Sequence, residues 1–569
     1  MSWRNDIRVV VGLDFGTTYS GFTCAHVSDG NFVTNDQWPG ELGQLKTNTV
    51  VQYDEQYENI ESWGYPALSK RPNKKKKNKN GSRPVELFKL HLGKLLDNLK
   101  PELPVDYKKA ITDYLREIGG LIKETVSTAW SGIDFFEKVL IVITVPAEYS
   151  EKDKGIMREC AYNAGLIKER HSEKLQFTTE PEAAAIYCME NSLEVNDLNT
   201  PGTTFMIVDC GGGTVDLTTR KLLEDKQLGE VTERAGDFCG STFIDKEFLK
   251  ALRKILGDRA INLLENNHYG QMQYMIQEFS RQAKLPFTGN KSEFTNYELD
   301  LEDIVPVVME YVTEDVQDKM EDDDWLIVFE YEDIKSMFDP IVKRIIEMIQ
   351  AQLKNTNKTR ENKCSAMFLV GGFSQSKYLQ KRIKEEFQQQ VENISVPIYP
   401  IAAISRGAAL YGLSMRNSAT DLDRMSSLKF VINERVLKYT YGIKISPEWK
   451  DGDPIERRDN GRIHKFDIMA QRGTVVKPNQ EFKSYIMPVY PHQVAINFLI
   501  YYTTKYNAQY CDEDEVEFLG NLLISLPDVH LGTNRPVLFA LTFGRMEITA
   551  TAKNKLNGQN YQTTLKLDI

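Results

Sequence analysis

The stretch VVGLDFGTTYSG, from Val10 to Gly21, leads from an apolar strand into an aspartate, a glycine and two threonines. A second stretch, FMIVDCGGGTVD from Phe205 to Asp216, has the same order of apolar strand, aspartate, glycine turn and threonine. Each half of the region in which strands and helices alternate contains one copy. The pair therefore predicts an α/β region with a polar turn at the end of one strand in each half.

The two turns have the composition of a phosphate-binding site. Glycine has no Cβ, so the backbone at Gly16 and at residues 211–213 can turn tightly and approach a ligand closely. Successive N–H groups in such a turn bind anionic oxygens, and an aspartate at the strand end suits a hydrated Mg²⁺. Neither turn matches the P-loop or the Rossmann pattern. One DFGTT alone would indicate only a tight turn, but two matched copies predict a clamp on a polyphosphate and its metal.

The pattern of the chain changes near Gly412. Before it, buried strands alternate with amphipathic helices such as DPIVKRIIEMIQAQL, in which Asp339 is predicted as the N-cap and Pro340 as the first residue. After it, short strands of alternating hydrophobicity are separated by turn signals such as DNGR and LNGQ. The sequence thus predicts an α/β domain at 1–412, a polar linker at 413–427 and an all-β sandwich or small barrel at 428–569.

Composition argues against several classes of protein. The 569 residues include 70 basic and 81 acidic side chains, and the net charge of −11 argues against DNA binding. The seven cysteines form no CxxC pair, which argues against zinc ribbons and disulfide frameworks. We expect no signal peptide and no membrane span, and therefore a cytoplasmic protein. The basic run at 70–84 is typical of a nuclear signal, but its Asn, Gly and Pro residues favour an exposed insertion loop.

The two turns resemble the phosphate loops of the actin, sugar-kinase and heat-shock-seventy ATPase superfamily. GLDFGTTYSG is most similar to the DnaK-like heat-shock-seventy chaperones, and TEPEAAAIY and FLVGGFSQSKYLQKRI resemble further chaperone segments. CGSTF and TYGIKI resemble the divergent branch that includes the twelve-A and twelve-B members. The resemblance implies a two-lobed actin-like ATPase domain of duplicated ribonuclease-H-like lobes, followed by a sandwich-like substrate-binding domain. As a departure from the chaperone pattern, we expect no helical lid and no hydrophobic interdomain linker.

The resemblance also implies ATP or ADP with Mg²⁺ as ligands, and it assigns roles to residues. Asp14 and, through water, Asp209 would hold the metal. Glu180 and Asp216 would position water, with Thr214 against the phosphates. Lys89 matches the family's catalytic lysine, although an exposed lysine on an amphipathic helix fits the same residues. The remaining predicted nucleotide contacts are Gly16, Thr17, Thr18, Tyr19, Gly211, Gly212, Gly213, Gly240, Lys284, Gly371, Gly372 and Gln375.

Three positions depart from the chaperone pattern around the nucleoside. Gln375 replaces an arginine that packs on the purine, and Arg281 and Leu285 stand where the chaperones have Glu and Arg. These changes predict weaker adenine selectivity than phosphate binding. Three hypotheses follow: a slow chaperone-like ATPase, a nucleotide-sensing scaffold with little hydrolysis, and a small-molecule kinase of the same superfamily. A peptide or protein client would bind through the β region, and the sequence identifies no co-chaperone.

Overall fold

The computed structural model describes most of the chain, and its contacts group the residues into two compact units. The described residues are 6–28, 31–68, 71, 82–93, 95, 100–146, 149–192, 200–224, 227–356, 363–415, 435–477, 480–543 and 548–564. The first unit contains Met1–Tyr149, Met157–Lys226 and Ala235–Val431, and the second contains Ser150–Ile156, Gln227–Arg234 and Ile432–Ile569. Most of the basic run and of the predicted linker lies outside the described residues. The predicted domain boundaries stay a prediction.

The first sheet of the first unit is built around a fully buried central strand that ends at the first polar turn. Its order is β6–β5–β1–β2–β3, and β4 also pairs with β2. The central strand β1 pairs in parallel with β5 and antiparallel with β2. The strands are β1 (Val9–Phe15), β2 (Tyr19–His26), β3 (Phe32–Thr34), β4 (Thr47–Asn48), β5 (Val139–Val145) and β6 (Leu175–Thr179).

The second sheet has the same arrangement around the second polar turn. Its strands run in the order β8–β7–β10–β11, and β9 also pairs with β8. The central strand β7 pairs antiparallel with β8 and in parallel with β10. The strands are β7 (Thr204–Cys210), β8 (Val215–Leu222), β9 (Ala235–Asp237), β10 (Cys364–Val370) and β11 (Asn393–Ser395). Each central strand therefore delivers its aspartate to the end where the hairpin turns.

Seven helices of the described part of the chain are numbered here, and the first residues of Glu151–Asn163 belong to the second unit. They are α1 (Tyr107–Ala129), α2 (Glu151–Asn163), α3 (Glu180–Ser192), α4 (Thr242–Leu256), α5 (Tyr331–Thr356), α6 (Lys377–Phe387) and α7 (Ala403–Ser414). α7 lies directly on β1, because a Cβ at Gly12 would be only 2.5 Å from the backbone nitrogen of Ala409. α7 also touches α3, where a Cβ at Gly407 would clash with the backbone of Ala183. Glycine at these positions lets a helix approach a strand and a second helix closely.

The predicted start of α5 is wrong. The helix begins at Tyr331, so Asp339 and Pro340 lie inside it. Asp333 accepts the backbone N–H of Glu330 at 2.8 Å and stabilises the true N-terminus. A buried stripe that includes Ile334 crosses the proline and continues to the end of the helix. Burial of this stripe outweighs the backbone hydrogen bond that proline removes.

Shorter elements complete the first unit. Its other strands are Gln37–Trp38, Glu41–Leu42, Val50–Tyr53, Ile60–Trp63, Val85–Glu86, Tyr297–Asp300 and Leu326–Phe329. Its other α-helices are Tyr65–Leu68, Phe135–Lys138, Asp258–Asn267, Tyr269–Phe279, Leu301–Ile304 and Glu314–Asp322. Short 3₁₀ turns lie at Phe88–His91, Pro306–Glu310, Phe373–Gln375 and Pro400–Ala402, and a π-helical turn lies at Ser280–Lys284. Among the residues that the structure describes, no helix is long and apolar enough to cross a membrane.

The second unit contains two four-stranded antiparallel sheets, with orders β13–β12–β15–β16 and β14–β17–β18–β19. Their apolar side chains form one cluster that includes Ile443, Phe498 and Phe539. The strands are β12 (Thr440–Ile445), β13 (Lys465–Ala470), β14 (Gln480–Ile486), β15 (Ala495–Thr503), β16 (Val516–Ser525), β17 (Val537–Phe543), β18 (Ile548–Asn554) and β19 (Asn560–Thr564). Short strands lie at Leu228–Glu230, Arg435–Val436, Arg458–Asp459, Arg462–Ile463 and Val475–Val476, with 3₁₀ turns at Ile455–Arg457 and Val529–Leu531.

Two arginines tie distant segments of the second unit together. Arg535 is fully buried, and its guanidinium donates to four backbone carbonyls, those of Gly532, Gln493, Leu526 and Pro491, at 2.6–3.1 Å. Arg472 forms a two-pronged ion pair with Glu233, at 2.5 and 2.8 Å. The segment Gln227–Arg234 is thereby joined to the strands that follow residue 432.

Candidate functional site

The second polar turn is held from one side by the residues that precede α4. Residues 240–242 donate their backbone N–H groups to the carbonyls of turn residues 211–213, at 2.9–3.2 Å. In a trans peptide the C=O of one residue and the N–H of the next point in opposite directions. The N–H groups of Gly212, Gly213 and Thr214 are therefore directed away from α4. This row of parallel donors has the form of an anion-binding turn.

The first polar turn lies against the second. A Cβ at Gly212 would clash with Oγ1 of Thr18, and a Cβ at Gly213 would be 3.8 Å from Cβ of Thr17. The backbone N–H of Thr49 donates to the carbonyl of Thr18 at 2.9 Å and fixes the first turn in place. The structure thus brings together the two turns that the sequence paired. Glycine at residue 212 leaves room for the hydroxyl of Thr18, whereas a Cβ at residue 213 would make only an ordinary contact.

Three buried carboxylates, the buried Lys89 and the partly exposed Lys46 lie at the base of the turns. Asp14 forms an ion pair with Lys46 at 2.5 Å, and Glu180 forms one with Lys89 at 2.8 Å. Charges with so little water around them interact strongly, so each pair depends on its partner. Asp209 is the third carboxylate, and it is buried within electrostatic range of Glu180, Lys46, Asp14 and Lys89.

Lys89 is positioned by a short 3₁₀ turn and not by an amphipathic helix. The turn Phe88–His91 follows Leu87, which has a left-handed backbone with φ of 58°. The ring of Phe88 packs on that of Phe15 at 6.3 Å between centroids. Lys89 is 3% exposed, and its ammonium also donates to the carbonyl of Phe15 at 2.5 Å. The alternative of an exposed surface lysine is therefore wrong.

Glu180 is positioned by the start of α3. The carboxylate of Glu182 accepts the backbone N–H of Thr179, and Oγ1 of Thr179 accepts the backbone N–H of Glu182, both at 3.3 Å. This reciprocal capping box fixes the first turn of the helix. Glu180 is the first helical residue, so the box sets the direction in which it meets Lys89.

The carboxyl group of Asp209 has a strongly raised pKa. The pKa of its carboxyl is raised to about 7 by burial first and by the negative charges of Glu180 and Asp14, against the opposing effects of Lys46 and Lys89. Its Oδ1 has no hydrogen-bond partner among the described residues. Burial lowers the pKa of Lys46, but Asp14, Asp209 and Glu180 outweigh this effect and leave the pKa raised. A cation near Asp209 would relieve this repulsion.

The carboxylates fit an indirectly bound metal better than a direct one. No three His, Cys, Asp or Glu side chains within the described ranges form a group close enough to ligate one ion. The unpartnered Oδ1 of Asp209 nevertheless offers an acceptor for a metal-bound water. Mg²⁺ keeps several waters and takes few protein carboxylates when phosphates supply the rest. The donor set therefore fits Mg²⁺ carried by a polyphosphate.

The residues predicted around a nucleoside lie on two elements. Gly371 has φ of +85°, and a Cβ there would be 2.5 Å from Oδ1 of Asp209. Gln375 ends the 3₁₀ turn Phe373–Gln375 and is exposed. Lys284 is buried and forms an ion pair with Asp245 at 2.7 and 2.9 Å. The ammonium of Lys284 is therefore already paired with a carboxylate of the protein. Asp245 is an additional charged residue at this end of the site.

Asp216 and Tyr19 flank the turns. Asp216 is buried and lies directly opposite Asp209 in the antiparallel pairing, so both carboxylates are on the same face of the sheet. A Cβ at Gly236 would be 2.6 Å from Oδ1 of Asp216, which fixes the carboxylate beside β9. Tyr19 follows the first turn and is 37% exposed.

Comparison with known proteins agrees with the motifs. The chain is 25% identical to human heat shock 70 kDa protein 12A, over 97% of this chain and 90% of that protein. It is 23% identical to human heat shock 70 kDa protein 12B, over 96% and 89% of the two chains. The chain resembles the 12A and 12B branch of the heat-shock-seventy proteins. The resemblance inferred from the phosphate-loop motifs is confirmed.

Two further matches cover only part of the chain. The DnaK chaperone of Halobacterium salinarum is 22% identical over 73% of this chain and 57% of its own length. A family model described as a domain of unknown function, DUF8340, matches residues 199–396. That range begins just before β7, so it includes the second polar turn and Asp209 but not the first turn.

Sequence motifs missed two charged residues that the structure places beside the polar turns. Lys46 lies in GQLKTNTV, which has no recognisable motif, and only the fold places it beside Asp14. Asp245 lies two residues after CGSTF, and its pairing with Lys284 links positions that are far apart in sequence. Neither position had a local signal, since Asp245 is followed directly by the charged Lys246 and Glu247.

The raised pKa of Asp209 predicts that the free energy of unfolding falls as the pH rises from about 4 to about 7. In this range the unfolded chain releases the Asp209 proton, with an ordinary pKa of 3.8, while the folded chain keeps it. The folded state then binds more protons, so a higher pH favours unfolding. Urea unfolding without nucleotide or Mg²⁺ should show a flatter pH dependence for Asp209→Asn. The exposed control Asp318→Asn should match the wild type, and an unchanged profile for Asp209→Asn would contradict the shift.

Proposed function

We propose that the chain is a slow, Mg²⁺-dependent ATPase of the chaperone type. Its first unit would be a two-lobed actin-like ATPase domain with duplicated lobes, and its β region a sandwich-like client-binding domain. The main support is the meeting of two glycine turns, with Thr18 against Gly212, over the buried carboxylates. Two matched sheets, each with a hairpin turn at the end of its central strand, support the duplicated architecture.

In this proposal the turns bind the phosphates. The N–H groups of residues 212–214 and the hydroxyls of Thr17 and Thr18 donate to phosphate oxygens, while Gly16 and Gly211 leave room for them. Asp14 and Asp209 would hold a hydrated Mg²⁺, which would supply positive charge to neutralise the phosphates. Glu180 and Asp216 accept hydrogen bonds from the attacking water. Lys89 holds Glu180 in position and places positive charge near the phosphates, so the acceleration comes from positioning and electrostatics.

The proposal places the nucleoside between Gly240, Lys284 and the Gly371–Gly372 loop. Gly240 cannot carry a side chain, because a Cβ there would clash with the backbone of Gly212. Arg281 is 69% exposed and forms an ion pair with Glu278, which turns its charge away from a purine-stacking role. Phosphate contacts would therefore dominate binding, and adenine selectivity would be modest.

A nucleotide-sensing scaffold is the second candidate. The buried ion pair between Lys89 and Glu180 keeps the Glu180 carboxylate hydrogen-bonded at 2.8 Å, which weakens it as a proton acceptor. Such a site could bind Mg-ATP while hydrolysing it very slowly. A kinase of the same superfamily would need a substrate hydroxyl next to Glu180 or Asp216. Phosphate release measured with and without candidate sugars separates the kinase from the other two candidates.

The proposal predicts that Asp209→Asn weakens Mg-ATP binding by about tenfold or more without unfolding the protein, because the variant loses the negative charge that attracts the metal. Calorimetric titration with ATP should show this loss in Mg²⁺ and a much smaller one in EDTA. Single-turnover hydrolysis should slow in parallel. Asp318→Asn, an exposed aspartate in Glu314–Asp322, is the matched control. Wild-type affinity and hydrolysis in Asp209→Asn would contradict the clamp.

The client-binding part of the proposal is supported by exposed apolar side chains between β14 and β15. Met487, Tyr490 and Val494 are 50%, 57% and 67% exposed. Three apolar groups on one short connection can anchor an extended apolar peptide.

We expect Met487→Glu with Val494→Glu to weaken binding of a fluorescent apolar peptide by about tenfold, as loss of anchor contacts does elsewhere. Stopped-flow dissociation should also be fast, and ATP should change it little. The control Leu556→Glu replaces an apolar residue that is 47% exposed on another turn of the same unit. Equal loss in the control, or slow release that ATP accelerates many-fold, would contradict the expectation.

A further inference from the structure

A cavity of about 500 Å³ lies between α5 and α6, and no residue of the polar turns lines it. None of the residues assigned to nucleotide binding lines it. Four of its lining residues are cations and two are carboxylates: Lys335, Lys343, Lys381, Arg382, Asp339 and Glu385. The excess of positive charge contrasts with the net charge of −11 of the whole chain. Its volume lies within the roughly 300–1,000 Å³ that is usual for small-molecule sites.

The wall of the cavity is built by packed and hydrogen-bonded side chains. The ring of Tyr378 covers Gly289, where the backbone has φ of +69° and a Cβ would clash with the ring. The hydroxyl of Tyr378 donates to Asp339, and Arg382 donates to the Tyr378 oxygen at 2.9 Å and to Asp339 at 3.1 Å. Lys335 completes this network with an ion pair to Asp339 at 2.5 Å. Asp339 is therefore fully compensated by groups of the protein itself.

The remaining cations have weaker compensation. Lys381 donates to the carbonyl of Gly289 at 3.2 Å, a bond that leaves its positive charge unbalanced. Lys343 is 75% exposed, and its ammonium is 3.9 Å from the carboxylate of Glu347. An exposed pair at this distance is weak. The cavity thus presents two ammonium groups beside an ordered guanidinium, with Glu385 as the one opposing lining charge outside the Asp339 network.

We propose that this cavity binds the phosphate group of a small phosphate monoester. A phosphate dianion matches the two surplus positive charges, and Lys and Arg donors form short charge-assisted hydrogen bonds with its oxygens. The volume leaves room for the organic part of the ester beside Tyr331, which is half-buried, whereas Tyr378 is buried and forms part of the wall. The proposal uses no residue of the proposed ATP site, so it stands or fails independently of that function.

The test is calorimetric titration of the full chain with phenyl phosphate, with inorganic phosphate and sulfate as companion probes at equal ionic strength. All titrations are repeated with saturating Mg-ADP, so that binding at the polar turns is separated from binding in the cavity. The variants are Lys381→Glu, Lys343→Glu and Glu385→Gln. The matched control is Lys384→Glu, which makes the same charge change on α6 at an exposed lysine that does not line the cavity.

We expect saturable binding of phenyl phosphate to the wild-type chain, and we expect this binding to persist in Mg-ADP. The combined change Lys381→Glu with Lys343→Glu should weaken the affinity at least tenfold. Glu385→Gln should tighten binding several-fold, a gain that damage to the fold would not produce. Lys384→Glu should change it less than twofold. The proposal is overturned if binding is absent, if Mg-ADP abolishes it, if Lys384→Glu weakens it as much as the cavity variants, or if Glu385→Gln leaves it unchanged.

Discussion

Replacing Lys89 with methionine should slow single-turnover ATP hydrolysis by about two orders of magnitude, the usual cost of losing one preorganised electrostatic group in an active site. Methionine keeps most of the length of the buried side chain and removes the ammonium. The carbonyl of Phe15 and the carboxylate of Glu180 then lose their shared donor. Glu180 would stay buried but lose the positive charge of Lys89, so its carboxylate would be less firmly held in position.

A double-mutant cycle separates this effect from simple loss of stability. If Lys89 acts through Glu180, the combined change Lys89→Met with Glu180→Gln should cost much less than the sum of the two single changes. Lys250→Met, at a lysine that is 64% exposed, is the control and should hydrolyse ATP at the wild-type rate. Additive effects, or near wild-type hydrolysis in Lys89→Met, would remove Lys89 from the mechanism.

Replacing Arg535 with methionine should lower the free energy of unfolding by about 4 kcal/mol, through the four backbone carbonyls that lose a charged donor. Arg535 has no exposed surface, so water cannot replace the guanidinium without opening the structure. The carbonyls belong to the segments before β15, at the end of β16 and before β17, so their loss should loosen three connections together.

The measurement is urea unfolding followed by the fluorescence of the full chain, read at the transition that reports the second unit. Arg457→Met is the control, because Arg457 is 32% exposed and its partner Asp512 is 70% exposed. Such surface pairs contribute up to about 1 kcal/mol. If the two changes lower the free energy of unfolding equally, the carbonyl contacts of Arg535 stabilise the protein no more than a surface ion pair does.

Local sequence was sufficient for the polar turns. Glycine permits the tight turns that other residues rarely adopt, so the two hairpins could be predicted from residue types, and their approach from the match between the two copies. The start of α5 failed for the opposite reason. Pro340 is a strong local signal for a helix start. The buried apolar residues on both sides of it nevertheless decide where the helix begins. Their burial stabilises the helix only when the rest of the core is assembled, so the local sequence does not reveal it.

Long-range charges were beyond the reach of motifs. Lys46 and Asp14 are brought together by β4 pairing with β2, and four carbonyls from separate segments surround Arg535. Sequence spacing carries no signal for such contacts, because each depends on the register of strands that are distant along the chain. The sequence likewise does not predict which side chains line the cavity between α5 and α6, because the lining depends on how the two helices pack.

The make-up of the second unit has a consequence for modularity. Its three segments, Ser150–Ile156, Gln227–Arg234 and Ile432–Ile569, require the chain to pass between the two units five times. A gene fragment that begins at residue 432 would omit two segments and leave Arg472 without Glu233. The β region is therefore not a cassette that recombination could transfer in one piece. Any lineage that exchanges it must carry changes at three separate places in the gene, which ties the history of the two units together.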